Sequence, residues 1–305
     1  MTSPAPASAP AAPASAPAAP ASAPAALAHA SALVALRSEL DGIDNAIHDL
    51  LLCRAGVVER VATQGGKGAV PIRPGREADI IRRLLARHTG HLPRRLIARW
   101  WRELFAATTA MQGSYVVAVC ETEPGNHFVQ AAREHFGALT PLRVHPSPSQ
   151  ALAEVSAGTA ISAVLPMPQE GDTGAWWTAL LHRDDPRIHV IARLPFWAPR
   201  AEGSPQVKAL VVAAVAPDAS AHDRSLLGLE LHADASRARL TSALTAAGLA
   251  PLATILRRAP AATVALVEVE GLVDEADPRL AALDGVSRRP VVLGAYAGPV
   301  EGESA

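Results

Sequence analysis

Residues 31–65 read SALVALRSELDGIDNAIHDLLLCRAGVVERVATQG, and the spacing of their apolar side chains decides how the first part of the chain folds. Leu33, Leu36, Leu40, Ile43, Ile47, Leu50, Val57 and Val61 follow one another in alternating steps of three and four, with Arg54 filling the one gap. That rhythm lines up a single face of an α-helix. An unbroken helix of this length reaches about 50 Å, and its stripe needs a second chain or a bundle to cover it. Gly65-Gly66 ends it.

Upstream, residues 6–26 are three copies of PASAPAA. Two prolines per copy exclude a coiled coil, because each removes an amide donor and collides with the preceding turn. Residues 1–30 are therefore expected to be a disordered, partly polyproline-II tether.

Downstream, Pro74-Gly75 precedes a second helix from Arg76 to about His88, with Ile80, Ile81, Leu84 and Leu85 inward. Pro93 opens a third, whose predicted apolar face is Leu96, Ile97, Trp100, Trp101, Leu104, Phe105 and Met111. Residues 31–113 thus read as a three-helix domain. From Tyr115 the texture changes. Short strand-like and helix-like segments alternate to about Phe196, as in a parallel α/β sheet, giving a domain at 114–200. A Pro/Gly-bearing connection leads to a strand, strand, helix, strand, strand, helix, strand rhythm at 205–298, beginning with VKALVVAAV and read as a separate α+β sandwich, with 299–305 as a disordered tail.

With 305 residues, 49% of them hydrophobic, and a net charge of −1, the chain has room for about two or three domains and offers no charge-based argument for nucleic acid or membrane. Cys53 and Cys120 lack metal-ligand or CxxC spacing and read as small buried hydrophobes. No basic, Leu-rich leader and no membrane-length apolar run is visible, so a cytoplasmic setting is expected.

Several polar side chains fall where the helical spacing demands apolar ones. Arg54 continues the series 40, 43, 47, 50, and Arg37 lies on the adjoining stripe with Leu51 and Val58. Arg76, in the first turn of the second helix, opposes the macrodipole by about 0.3–1 kcal/mol, so an anion should compensate it. Glu77 suits that terminus, while Thr108 and Gln112 extend the inward stripe of the third helix. Each alone is explained by snorkelling, capping or a local salt bridge. Together they describe a site for a small dianion bearing a hydroxyl, and no metal cluster stands out in the sequence, so no cofactor is expected.

LRSELDGIDNAIHDLLLCR, then PGREADIIRRLL, then LPRRLIARWWRELF ending at Met111-Gln112, resemble the all-helical class of chorismate mutases. The resemblance implies an intertwined homodimer sharing the long helix, and a pericyclic rearrangement of chorismate to prephenate. It implies that Arg37 of one chain joins Arg54 and Arg76 of the other on the carboxylates, that Glu77 holds the ring hydroxyl, and that Gln112 donates to the ether oxygen with Thr108 assisting. Two positions depart from the pattern. Gly65 stands where the family carries a lysine, with Lys67 as the available substitute, and Arg73 replaces an aspartate ahead of the Arg-Glu pair.

The α/β half resembles, more weakly, the first lobe of a prephenate dehydratase, through AVLPMPQEGDTGAWW at 163–177, followed by a module of the ACT type. PGNHF and VKA stand where the dehydratase segments should be, and only about ten residues separate Phe196 from Lys208, so dehydratase activity is not expected. The ACT type implies an aromatic amino-acid effector, but this sequence matches none of that module's phenylalanine-binding motifs, so a structural or dimerising sandwich is the alternative reading. The expected function is chorismate mutase in aromatic amino-acid biosynthesis; the competing one is a catalytically degenerate dimeric binding or regulatory protein of the same family.

Overall fold

The computed structural model describes residues 23–64 and 71–302, less positions 123, 173, 183–184, 199, 201–202 and 259–261. The chain forms two compact units, Met1–Val58 and Glu59–Ala305.

Helix α1 runs Ala23–Gln64, beginning eight residues before the expected start, and the rest of the proposed tether lies outside the described residues. Alanine-rich sequence after the last repeat proline explains the extension, since nothing there opposes a helix. Among the described residues most of its stripe is uncovered: Leu36, Leu40, Ile43, Leu50, Val57 and Val61 are exposed and Ile47 is half-buried. Cys53, expected to be buried, is exposed with them, whereas Cys120 is buried in a strand.

In the second unit, α2 (Pro74–Arg87) and α3 (Arg94–Ala110) come first. Then β1 (Val117–Cys120), α4 (His127–Phe136), β2 (Leu142–His145), α5 (Pro148–Ser156), β3 (Ser162–Pro166), a 3-10 turn (Trp176–Leu181) and β4 (His189–Leu194) follow the predicted order. After β5 (Trp197–Ala198) come β6 (Ala209–Ala213), β7 (Asp223–Leu231), α6 (Arg237–Ala246), β8 (Pro251–Arg258), β9 (Thr263–Glu270), a second 3-10 turn (Pro278–Leu283), β10 (Ser287–Ala297) and β11 (Val300–Glu301).

The predicted helical region followed by α/β structure is what folds, but the two sheets expected in the second half are one. A nine-stranded sheet has the order β2-β1-β3-β6-β4-β10-β7-β9-β8. It is mixed rather than parallel: β6, assigned from sequence to the later sandwich, inserts antiparallel between β3 and β4. Its uninterrupted Ala-Leu-Val-Val-Ala is buried throughout, the pattern of a central strand covered on both faces. The β7–β10 part keeps the antiparallel order β10-β7-β9-β8 expected of a βαββαβ unit.

One face of the β1–β6 region is covered by α4, with Val117, Val119, Ala132, Phe136, Val164, Ile191 and Val211 in a single core. The other face carries α5 and the Trp176-Trp177 turn, and α6 covers β7 and β9 through Leu240 and Leu244. The two parts of the sheet meet where Gly294 of β10 pairs with Val190 of β4. Beside that seam the buried Glu268 accepts hydrogen bonds from Tyr296 Oη at 2.7 Å, Arg224 Nη1 at 3.1 Å and Arg193 Nη1 at 3.3 Å. A buried carboxylate needs such partners.

Helices α2 and α3 share their core with the C-terminal strands. Ala78, Ile81, Leu85, Ala98 and Phe105 pack with Phe196 and Ala297 in one cluster. This corrects the predicted face of α3: Ala98, Arg102, Phe105, Ala106, Thr108 and Thr109 are buried, while Leu96, Trp100 and Met111 are exposed. The helix turns its small residues inward because α2 and α4 approach there closely.

Candidate functional site

Helix α2 presents the Arg76-Glu77 pair from its first turn. Its N-cap, Arg73, supplies no side-chain cap. A carboxylate from 142 residues further along the chain does so instead: Asp218, between β6 and β7, accepts from Arg76 N through Oδ2 and from Gly75 N through Oδ1, both at 3.0 Å. This is an anion of the kind that a cation in the first turn calls for. Gly75 permits the approach, since a Cβ there would lie 2.5 Å from the Asp218 carbonyl oxygen. Two more ties follow: Asp79 Oδ1 accepts from Ala221 N at 3.1 Å, and Arg82 Nη2 donates to Gly298 O at 2.6 Å. Asp218→Ala should lower stability by about 1 kcal/mol, the usual worth of a cap. An unchanged melting temperature would mean that water caps the helix equally well.

Glu77 sits in a different setting from the exposed Arg76. Its Oε2 accepts from Arg102 Nη1 at 2.8 Å, with the two side chains only 17% and 6% exposed. The Arg102 guanidinium lies 4.7 Å from the centroid of the Phe196 ring, which Arg82 also approaches at 5.6 Å. Burial pulls the Arg102 pKa below its usual value, while the Glu77 carboxylate acts in the opposite sense. His135, on α4, is held well below the usual imidazole value by burial and then by the Arg102 charge. It is neutral at physiological pH. Burial also pushes the Tyr115 phenol up, aided by Glu77.

On α3, the Thr108 hydroxyl donates to Leu104 O at 2.8 Å and Phe105 O at 3.2 Å. The Gln112 amide donates to Thr108 O at 3.2 Å. Both polar side chains turn back on their own helix, which is how a buried hydroxyl is satisfied without a ligand.

On α1, in the first unit, Arg37 is exposed and Arg54 half-buried. Lys67 and Gly65 lie outside the described residues. Arg102 and Asp218 were missed from the sequence. Arg102 had a signal of the same kind as Arg54, because it continues the spacing of Ala98, Phe105, Ala106 and Thr109. Asp218 had none, its partner being remote in sequence.

Residues 36–113 match a protein-family model, CM_2, chorismate mutase type II. The bifunctional chorismate mutase/prephenate dehydratase of Pseudomonas aeruginosa is 31% identical over 138 residues, covering 43% of this chain and 38% of that protein. The protein of the same name from Neisseria gonorrhoeae is 35% identical over 101 residues, 33% of this chain and 27% of its own. The chain thus spans well under half the length of these curated relatives. Among solved structures, a prephenate dehydratase from Streptococcus mutans aligns at a TM-score of 0.45 and 14% identity, covering 61% of this chain and all of that one. GqqA, described as a novel type of quorum quenching acylase, aligns at 0.45 and 17%, covering 61% and 96%. Likenesses this loose carry no argument about this chain.

Proposed function

We propose that this protein is a chorismate mutase, converting chorismate to prephenate in aromatic amino-acid biosynthesis. The observation that carries the reading is the match of residues 36–113 to the type II mutase family, with Arg37, Arg54, Arg76, Glu77, Thr108 and Gln112 at the spacings that the resemblance requires. The rearrangement needs no nucleophile. Catalysis consists of holding the folded conformer of a dicarboxylate and stabilising charge that grows on the ether oxygen. In this reading the arginines take the carboxylates, Glu77 the ring hydroxyl, and Gln112, with Lys67 in place of the lysine missing at 65, the ether oxygen.

A homodimer through α1 is part of the proposal, supported by its uncovered apolar stripe, which a second copy would bury. We also propose that the chain lacks dehydratase activity, because the segments at PGNHF and VKA depart from that pattern. No helix among the described residues is long and apolar enough to cross a membrane; the cytoplasmic setting is proposed on the sequence.

The test follows chorismate loss and prephenate formation with the purified chain. Turnover supports the mutase reading, and none would sink it. A second reading, a degenerate binding protein, is favoured by Gly65 standing where the family carries a lysine; chorismate binding without turnover would select it. Phenylalanine or tyrosine added to the same assay, and to a thermal melt, tests the proposed aromatic effector, and a flat response in both would remove it.

A further inference from the structure

We infer that Arg102 is a positioning residue for Glu77, and that the α/β region holds Arg102 in place through Phe196. The inference rests on the mutase reading, in which Glu77 receives the ring hydroxyl of the ligand.

Three observations carry it. The Arg102–Glu77 pair is buried and close, at 2.8 Å. The Phe196 ring, just past β4, faces the guanidinium at 4.7 Å. His135 of α4 lines the same small cavity as Arg102 and Phe196, and burial and then the Arg102 charge hold its imidazole below the usual pKa.

A glutamate has several rotatable bonds, and only some of its rotamers present an oxygen to a ligand. A guanidinium on one carboxylate oxygen selects among them, and the aromatic face fixes the plane of the guanidinium in turn. The bond does not block the ligand, because an ionised carboxylate offers about four lone-pair sites across its two oxygens. Lysine could supply charge at this position but not a planar donor over the ring. The effect is to place the hydroxyl-binding carboxylate under the control of a residue that the sheet holds, rather than of its own helix alone.

The experiment compares the parent chain with Glu77→Gln, Arg102→Met, Arg102→Lys, Phe196→Leu and the Glu77→Gln/Arg102→Met double variant. Each is assayed for kcat and KM on chorismate and on a chorismate analogue lacking the ring hydroxyl, with a thermal melt alongside. Arg102→Met should lower kcat/KM for chorismate on the order of tenfold, as loss of a charge-assisted hydrogen bond does. It should lower turnover of the hydroxyl-free analogue much less, and the double variant should be no worse than the more damaged single. Arg102→Lys should recover part of the preference for the hydroxylated substrate, and Phe196→Leu should erode it. Equal losses on both substrates, or losses that multiply in the double variant, would overturn the inference and leave Arg102 a structural residue. Should Arg102→Met fail to fold, the Lys and Leu variants decide the question by the same substrate ratio. A parent chain inert toward chorismate is a separate result, which removes the mutase reading and this inference with it.

Discussion

Replacing Arg54 with alanine is expected to lower kcat/KM for chorismate by about 10²–10³-fold, because a substrate carboxylate then loses the charged partner that holds the reactive conformer. The argument begins in the sequence, where Arg54 occupies the step that the stripe reserves for Leu or Ile, and continues in the exposure of that stripe in a single chain. If two chains pair along α1, Arg54 of one copy and Arg37 of the other serve the same site. Each alanine variant should then be nearly inactive by itself. Mixed and refolded together, Arg37→Ala and Arg54→Ala chains should regain about a quarter of the parent activity, because half of the randomly assorted dimers are mixed and one of their two sites is intact. Arg54→Ala with parent-like activity would sink the role given to it. Two inactive variants that fail to complement would sink the shared site while leaving the arginines essential.

The second large effect concerns the seam of the sheet. Gly294 has φ +143° and sits at a register shift opposite β7, while on its other side it pairs with Val190 of β4. A Cβ there would overlap the Val190 carbonyl oxygen and come within 2.5 Å of its amide nitrogen. Neither partner is a flexible side-chain end, so the clash and the backbone strain add. Gly294→Ala should cost roughly 3 kcal/mol or more, read as a lower urea midpoint. Opening the seam also frees the edges of β4 and β10, so the variant should aggregate more readily. A denaturation curve superimposable on the parent's would show that the seam is looser than its geometry implies.

What was legible in the sequence follows from range. Strands and helices from Val117 to Ala297, other than the two-residue β5, were readable because their apolar periods are local. The placement of β6 was not: nothing in Ala-Leu-Val-Val-Ala says which strands flank it, and chain order suggested the wrong half. The Arg76-Glu77 pair could be singled out, and so could the need for an anion beside it, because charge in a first helical turn is a local matter. That Asp218 supplies a carboxylate there, and that Arg102 takes Glu77, are long-range facts. The buried face of α3 was misread because Trp100 and Leu96 outweigh Ala98 and Ala106 in apolar content, yet only the small side chains let neighbouring helices close in.

The ties from α2 to Asp218, Ala221 and Gly298 also bear on how the molecule is made. During synthesis these helical residues leave the ribosome more than a hundred residues before the groups that anchor them. Helix α2 can coil early, but its seat does not exist until the last strands emerge. Contacts closed over such spans form late. The nascent chain therefore carries Arg76 and Glu77 on an undocked helix until the segments bearing Asp218, Ala221 and Gly298 have followed. The helix that carries the Arg76-Glu77 pair is made long before its seat and, by this geometry, put in order only after it.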